Sequence, residues 1–308
     1  MNHMSVEESL QGALRSLIAD LPDKPWRLAG EGVWGKVMDL GDQTMLKLVH
    51  RNGGIGSGDS KLVREAKALE MLGGLATQDF RVPKLIAHER WNNAWMLGGA
   101  YMGPPLAGWI RMEKLPGHVA DEHALHGAGA QDRDRLGEAI GAAIACFHAD
   151  TTMHVESAGR LGDPLVRALD EALPRLNGPH DKARMETLRA NWLAQTGPRV
   201  MLHGDLNLGN ILRAGPRDAL SLIDFAECGV GAPEYDLHHF ENAGPLRDAV
   251  FRGYGAVTGA MPDMARYRMG VAVAAAVTLA ISGGGGHPRE ASRRRYWLDE
   301  TLYQAGIS

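Results

Sequence analysis

The stretch His203-Gly204-Asp205-Leu206-Asn207-Leu208-Gly209-Asn210-Ile211-Leu212 sets a carboxylate and a carboxamide five residues apart, directly after the apolar run Val200–Leu202. The run reads as a strand and residues 203–210 as a tight loop. Phosphoryl transfer asks for both groups. A carboxylate orients an attacking hydroxyl and accepts its proton, and a neutral oxygen ligand helps to hold Mg²⁺. Fourteen residues on from Asn210, a second apolar run, Leu220–Ile223, ends in Asp224-Phe225. Mg²⁺ prefers oxygen ligands and keeps several waters, so Asn210 and Asp224 suffice as its protein ligands, with Asp205 as the catalytic base. One aspartate after a strand is commonly just a turn former; the order and spacing of the set carry the reading.

Toward the amino terminus, Gly30-Glu31-Gly32-Val33-Trp34-Gly35-Lys36-Val37 has the spacing GxGxxGxV. A dinucleotide fold would need a helix after these glycines. Lys36–Leu40 is instead β-type, which points to a hairpin whose Gly30, Gly32, Gly35 and Val37 cover nucleotide phosphates. Gly41-Asp42 marks a turn into Thr44–Val49, where Lys47 lies among apolar residues and needs a partner. Lys61–Leu72 reads as a helix with Leu62, Ala66, Leu69 and Leu72 on one face, closed by Gly73-Gly74. Glu65 on this helix is one candidate partner for Lys47, and Glu70 is another. Arg81–His88 and Trp109–Leu115 read as further strands, ended by the turn signal Pro116-Gly117.

The remainder is mostly helical. Asp132 is placed to cap a helix with Leu136, Ile140, Ile144 and Phe147 on its apolar face. Another helix is expected over Lys182–Ala194, and Val271–Ile281 reads as a buried core helix ending in the mobile loop Gly283–Gly286. A β-rich segment, 1–115, followed by a helix-rich one, 118–308, indicates two lobes. In 308 residues, 33 Lys+Arg against 37 Asp+Glu leave a net charge of −4. Such a balance lacks the clustered positive surface of a nucleic-acid binder. MNHMSVEESL has no apolar core of signal-peptide type, and no run reaches the ~20 apolar residues of a spanning helix, so no membrane role is expected. Cys146 and Cys228 are too few for a disulfide scaffold, which suggests the reducing cytoplasm. The oligomeric state is not indicated.

Between Gly30 and Leu237 the chain resembles the protein-kinase-like superfamily, and most of all its aminoglycoside phosphotransferase and choline kinase branch. HGDLNLGNIL, LIDFAE and GAPEYDL carry the likeness. The resemblance implies an α+β, two-lobed protein-kinase-like fold, with a small antiparallel β-sheet lobe, a hinge and a helix-rich lobe, binding ATP and Mg²⁺ in the cleft. It implies Asp205 as base, Asn210 and Asp224 as metal ligands, and Lys47 with Glu65 as the lysine–glutamate pair. Met112, Glu113, Lys114 and Leu115 fall where the adenine-binding hinge lies, and Asp236 matches an aspartate that supports the catalytic loop. His148 matches a structural helix end.

Departures from protein kinases point to a small-molecule acceptor. Gly204 replaces the usual Arg, Asn207 replaces Lys, Ala226 replaces Gly, and only eleven residues separate Asp224 from Asp236. Glu227, Glu234 and Glu241 cluster after the metal aspartate with His238 and His239. Carboxylates there suit a cationic acceptor through charge-assisted hydrogen bonds, although a solvated loop accounts for them equally. The neighbouring histidines cannot both face one site on a helix and are not read as a metal site. The expected activity is phosphorylation of a hydroxyl on a small polar molecule. Aminoglycosides lead, choline-, sugar- or fructosamine-type acceptors come next, and a protein kinase or a non-catalytic nucleotide-binding regulator last.

Overall fold

A computed structural model describes residues 6–53, 56–91, 103–120, 129–176, 178–215, 219–282 and 288–307. The chain divides into two compact units, Met1–Leu75 with Pro83–Leu115, and Ala76–Val82 with Pro116–Ser308.

The first unit opens with helix α1 (Val6–Leu17), followed by strands β1 (Arg27–Gly32), β2 (Gly35–Asp39) and β3 (Thr44–His50), then helix α2 (Gly58–Leu72). After β4 (Phe80–Arg81), which belongs elsewhere, come β5 (Leu85–Arg90) and β6 (Leu106–Glu113). The five strands form an antiparallel sheet in the order β1-β2-β3-β6-β5. Strand alternation sends neighbouring residues of β3 to opposite faces. Leu46 and Leu48 join Leu10, Leu14 and Ile18 and the indoles of Trp26, Trp91 and Trp109 in one core. Lys47, between them, points the other way and meets α2. The expected face of α2 is buried, and Gly73 closes the helix at φ 59°, its N–H donating to the Leu69 carbonyl. Left-handed backbone of this kind favours glycine.

One expected strand, Arg81–His88, is divided. Phe80–Arg81 is part of the second unit, where it pairs in parallel with Leu220–Ser221, and only Leu85 onward pairs with β6. Pro83 lies between and has no N–H to continue a ladder.

The second unit contains β7 (His118–Val119), α3 (Ala130–Asp150), α4 (Val155–Ala158), α5 (Pro164–Ala172), α6 (Pro179–Leu193), β8 (Val200–Leu202), β9 (Ile211–Arg213), β10 (Leu220–Leu222), β11 (Gly229–Gly231), α7 (Glu234–Leu237), α8 (Pro245–Thr258), α9 (Met264–Ser282) and α10 (Pro288–Gln304). Helix α3 begins before the expected cap: Gly129 is its N-cap residue and Asp132 lies in the first turn. Its backbone lies close to α8 because glycines meet there. A Cβ on Gly141 would fall 2.0 Å from the Val250 carbonyl oxygen, and one on Gly253 2.0 Å from that of Glu138. Helix α9 is the core helix the sequence indicates, with Tyr267, Val271, Ala272, Ala275 and Ala276 buried. The expected loop Gly283–Gly286 lies outside the described residues. The short strands form a sheet β4-β10-β9-β7 and a pair β11-β8.

Candidate active site

Strand β8 delivers the chain into the loop 203–210, and buried polar groups fix that loop from beneath. The Asp236 carboxylate, fully buried, accepts the His203 N–H at 2.9 Å and the Gly204 N–H at 2.7 Å. His148 Nε2 reaches the same carboxylate at 3.0 Å, with Nδ1 held at 3.2 Å by the Tyr254 hydroxyl. Burial pushes the Asp236 carboxyl up, but the His148 hydrogen bond and charge, with the backbone donors, outweigh it and hold the group below the usual carboxylate range. The His203 ring lies 2.9 Å from the Ile223 carbonyl through Nε2 and packs 4.5 Å from the Phe225 ring. Gly204 has φ 85°, and a Cβ there would stand 2.1 Å from the Glu227 carbonyl oxygen. No larger residue fits, which explains the absence of the arginine found in protein kinases.

Asp205 projects from this fixed backbone with its side chain 41% exposed. Two amides orient it: Asn207 Nδ2 donates to Oδ1 at 3.0 Å, and Asn210 Nδ2 lies 3.3 Å from Oδ2 and 2.7 Å from the Asp205 carbonyl. Asn207, which the sequence marks only as a departure from protein kinases, therefore orients the Asp205 carboxylate. Asp224 follows β10 with φ 66°. Its neighbour Ile223 donates its N–H to the Asn210 carbonyl at 3.0 Å, beside the β9–β10 pair Ile211↔Leu222. The backbone thus sets Asn210 opposite Ile223, the residue directly before Asp224. A carboxylate and an amide oxygen are a hard donor set that suits Mg²⁺ with retained waters. Among the described residues no three His, Cys, Asp or Glu side chains gather as a softer or fuller metal site.

In the first unit, the glycine-rich stretch is the β1–β2 hairpin, with Val33-Trp34 at its tip. Its glycines differ. A Cβ on Gly35 would lie 2.0 Å from the Leu48 carbonyl oxygen, so packing against β3 requires glycine there. Gly30 and Gly32 meet nothing within 4 Å, which leaves their backbone open to a ligand. Val37 faces Lys47 across the β2–β3 ladder. Lys47 Nζ donates to Glu65 Oε2 at 2.7 Å, with the two side chains 9% and 1% exposed. Glu70 is exposed, so the choice between the two glutamates falls to Glu65. Met112 and Leu115 are buried and Glu113 is exposed, its Oε2 accepting the Lys84 N–H at 3.3 Å. Lys114 Nζ binds Asp39 at 2.8 Å, and that bond, with the Gly41 N–H, draws the Asp39 carboxyl down to about 2.

The three glutamates after Asp224 have separate partners. Glu227 lies 3.7 Å from Arg167, whose Nη2 also donates to its carbonyl at 2.6 Å. Glu234 is buried, accepts the Asp263 N–H at 3.1 Å and lies 3.8 Å from Arg266, so it holds the start of α9. Glu241 Oε2 accepts from the Tyr267 hydroxyl at 2.6 Å and from Arg247 at 3.3 Å. It lines a cavity of about 270 Å³ with Arg247, Asp248, Phe251, Tyr267 and Arg268. His239, which the sequence leaves without a role, has Nε2 3.5 Å from Asp205 Oδ1.

The loop of the second unit carries an oriented carboxylate beside hard oxygen donors, and the first unit carries a buried lysine–glutamate pair; both are features of small-molecule kinases. The family model confirms this: the chain belongs to the phosphotransferase enzyme family, matched over residues 58–269. Glu65, Asp205, Asn210, Asp224 and Asp236 fall inside the match; the glycine hairpin and Lys47 precede it. No curated protein sequence matches the chain. Among solved structures, the chain is similar to the GDP complex of wild-type aminoglycoside 2'-phosphotransferase-IIIa, at 16% identity over 96% of this chain and 98% of that one, TM-score 0.65. It is also similar to a choline/ethanolamine kinase family protein from Mesorhizobium loti (13% identity, 98% and 99% covered, TM-score 0.59). A third likeness is to an aminoglycoside-3'-phosphotransferase of type VIII (18%, 88% and 98%, TM-score 0.58).

Proposed function

We propose that the protein transfers the γ-phosphoryl group of ATP, with Mg²⁺, to a hydroxyl of a small polar molecule in the cytoplasm, with aminoglycosides as the leading acceptor class. The observation that carries the reading is Asp205, held by Asn207 and Asn210 on a backbone fixed by Asp236. Its carboxylate takes the acceptor's hydroxyl proton as the oxygen attacks. Asp224 and Asn210 would hold Mg²⁺, which when bound neutralises charge on the phosphates. Lys47, fixed by Glu65, places a point charge on the phosphates, and the open backbone at Gly30 and Gly32 admits phosphate oxygens without a Cβ in the way. The acceptor class is supported by related structures: complexes of aminoglycoside phosphotransferases with kanamycin, gentamicin and streptomycin.

The test is a turnover screen with Mg·ATP, and with Mg·GTP beside it, against kanamycin, gentamicin, streptomycin, choline, ethanolamine and a fructosamine. A phosphorylated aminoglycoside is the expected product; turnover of choline or the fructosamine alone would move the chain to that branch. With the acceptor found, Asp205→Asn is expected to lower turnover by ~10²–10⁴-fold, the span of general-base contributions. Nucleotide affinity should stay near wild type. Turnover undiminished in this variant would remove Asp205 from the role of base.

A further inference from the structure

We propose that Arg167 is a positioning residue for Asp224: its guanidinium anchors the chain just beyond that aspartate and keeps it in the backbone conformation the Mg²⁺ site uses. The inference rests on Asp224 and Asn210 being the metal ligands. It starts from the Asp224 backbone. A φ of 66° lies in the left-handed region, which a residue with a Cβ adopts only at a cost. Such a conformation persists where the chain on both sides over-determines it.

On the amino-terminal side the anchor is the sheet. Leu222 pairs with Ile211, and the Ile223 N–H binds the Asn210 carbonyl at 3.0 Å. On the carboxy-terminal side no strand begins until Gly229, and the bend between is closed by the Cys228 N–H on the Phe225 carbonyl at 3.0 Å. Arg167, on α5, holds this bend from outside. Its Nη2 donates to the Glu227 carbonyl at 2.6 Å and to the Cys228 carbonyl at 3.2 Å. Its Nη1 donates to the Leu161 carbonyl at 2.5 Å and to the Gly162 carbonyl at 3.1 Å. One guanidinium thus ties the bend after Asp224 to the turn ahead of α5, and the Glu227 carboxylate, 3.7 Å away, offsets its charge.

Glycines make room for the clamp. A Cβ on Gly229 would lie 2.2 Å from the Gly162 carbonyl oxygen and 2.9 Å from Arg167 Nη1. Gly229 itself pairs with Leu202, the last residue before the catalytic loop, and the Val230 N–H binds the Gly162 carbonyl at 3.0 Å. The Glu227 carbonyl that Arg167 holds is the same atom that leaves no space for a Cβ on Gly204. The contacts that fix the bend therefore also set it against the catalytic loop. Only a guanidinium suits the task. Its planar fork of N–H donors spans carbonyls on two segments, whereas an ammonium donates from a single atom. Without the clamp Asp224 is free to leave φ 66°, and rotation about its N–Cα bond swings its carboxylate relative to Asn210.

The experiment is calorimetric titration of a non-hydrolysable ATP analogue, once with excess Mg²⁺ and once with EDTA, on wild type, Asp224→Ala, Arg167→Lys and Arg167→Met. The ratio of the two affinities measures what the metal contributes, and the stoichiometry measures the folded fraction. Asp224→Ala is expected to bring the ratio close to one. Arg167→Met is expected to lower it by ~10-fold or more, the range for residues that orient metal ligands, and Arg167→Lys by less. Affinity in EDTA should stay within about 2-fold of wild type. A role in folding alone would lower the stoichiometry and leave both affinities unchanged. A ratio within about 2-fold of wild type in both Arg167 variants overturns the proposal, as does an equal loss of affinity with and without Mg²⁺. If Arg167→Met does not fold, Arg167→Lys, which keeps the charge and fewer of the bonds, decides by the same ratio. If the ratio is near one in wild type, or unchanged in Asp224→Ala, the metal reading fails first; if Asp224→Ala loses it and the Arg167 variants do not, only this inference fails.

Discussion

Glu65 and Asp236 are both buried carboxylates, one in each unit, and they serve different kinds of donor. Glu65 binds the ammonium of another side chain, Lys47, and so sets where a positive charge stands. Asp236 binds two backbone N–H groups and an imidazole, and so sets the path of the chain through 203–204. The difference separates two ways of building a site. A buried acid that holds a side chain can be replaced together with its partner. One that holds backbone donors cannot, because backbone N–H groups remain whatever the sequence.

The largest expected effect comes from breaking the backbone clamp. Asp236→Ala leaves the His203 and Gly204 N–H groups and the His148 ring without their acceptor, a cost of ~3–5 kcal/mol in unfolding free energy, as for other broken buried pairs. Denaturant unfolding measures it, and turnover should fall with it. The pH dependence has a definite sign. The folded Asp236 carboxyl is held below its ordinary range, so its contribution is complete above that range and is lost as pH falls through the folded value. Wild type should therefore lose stability below about pH 4, and Asp236→Asn should show a shallower loss there. An equal slope in both would mean that His148 and the backbone donors do not hold the charged form.

The side-chain pair gives the sharper contrast. Lys47→Met removes the ammonium that the buried Glu65 binds, at ~3 kcal/mol, whereas Lys47→Met with Glu65→Leu should return the stability to near wild type, because a buried pair replaced by apolar residues is often neutral. Activity should remain lost in both. Chemical denaturation and turnover on the same proteins separate the two quantities. If the double variant stays as unstable as the single, Glu65 holds more of the fold than the pair, and the contrast with Asp236 disappears.

These two acids also mark how far sequence alone reaches. The local grouping of Asp205, Asn210 and the strand end before Asp224 is legible because their order and spacing lie within one hairpin-sized segment, where local backbone decides proximity. Asp236 is legible only through resemblance, since its donors lie 32 and 33 residues away. Glu65 and Glu70 stay undecided on the helix pattern, and the packing of α2 beside β3 resolves them. The strand expected over Arg81–His88 fails for the same non-local reason: parallel pairing to β10 claims Phe80–Arg81, and no periodicity records it. His239 is missed because the helical reading sets adjacent residues on different faces. The His238 and His239 rings instead stack, and only the tertiary path of the 203–205 loop brings Asp205 beside one of them.

The smallest effect is expected where a carboxylate is neither backbone clamp nor buried partner. Glu241 already accepts from Tyr267 and Arg247, and its cavity carries Arg247 and Arg268 against Glu241 and Asp248. A cationic acceptor entering there meets a charge-balanced lining and must displace Arg247 to reach Glu241. The pair is partly exposed, 34% for Arg247 and 25% for Glu241, so it is worth only ~0–1 kcal/mol. Glu241→Gln is therefore expected to change kcat/KM for kanamycin by less than ~10-fold, which is ~1.4 kcal/mol. Glu234→Gln should act on unfolding, because that side chain holds Asp263 and Arg266 at the start of α9. The measurement is kcat/KM at low and high salt, since an exposed ionic contact weakens with screening. A loss beyond ~10-fold that shrinks with salt would show that an ammonium of the acceptor replaces Arg247 on Glu241. Glu241 would then join Glu65 as an acid whose task is to hold a positive charge in place, with the charge supplied by the substrate.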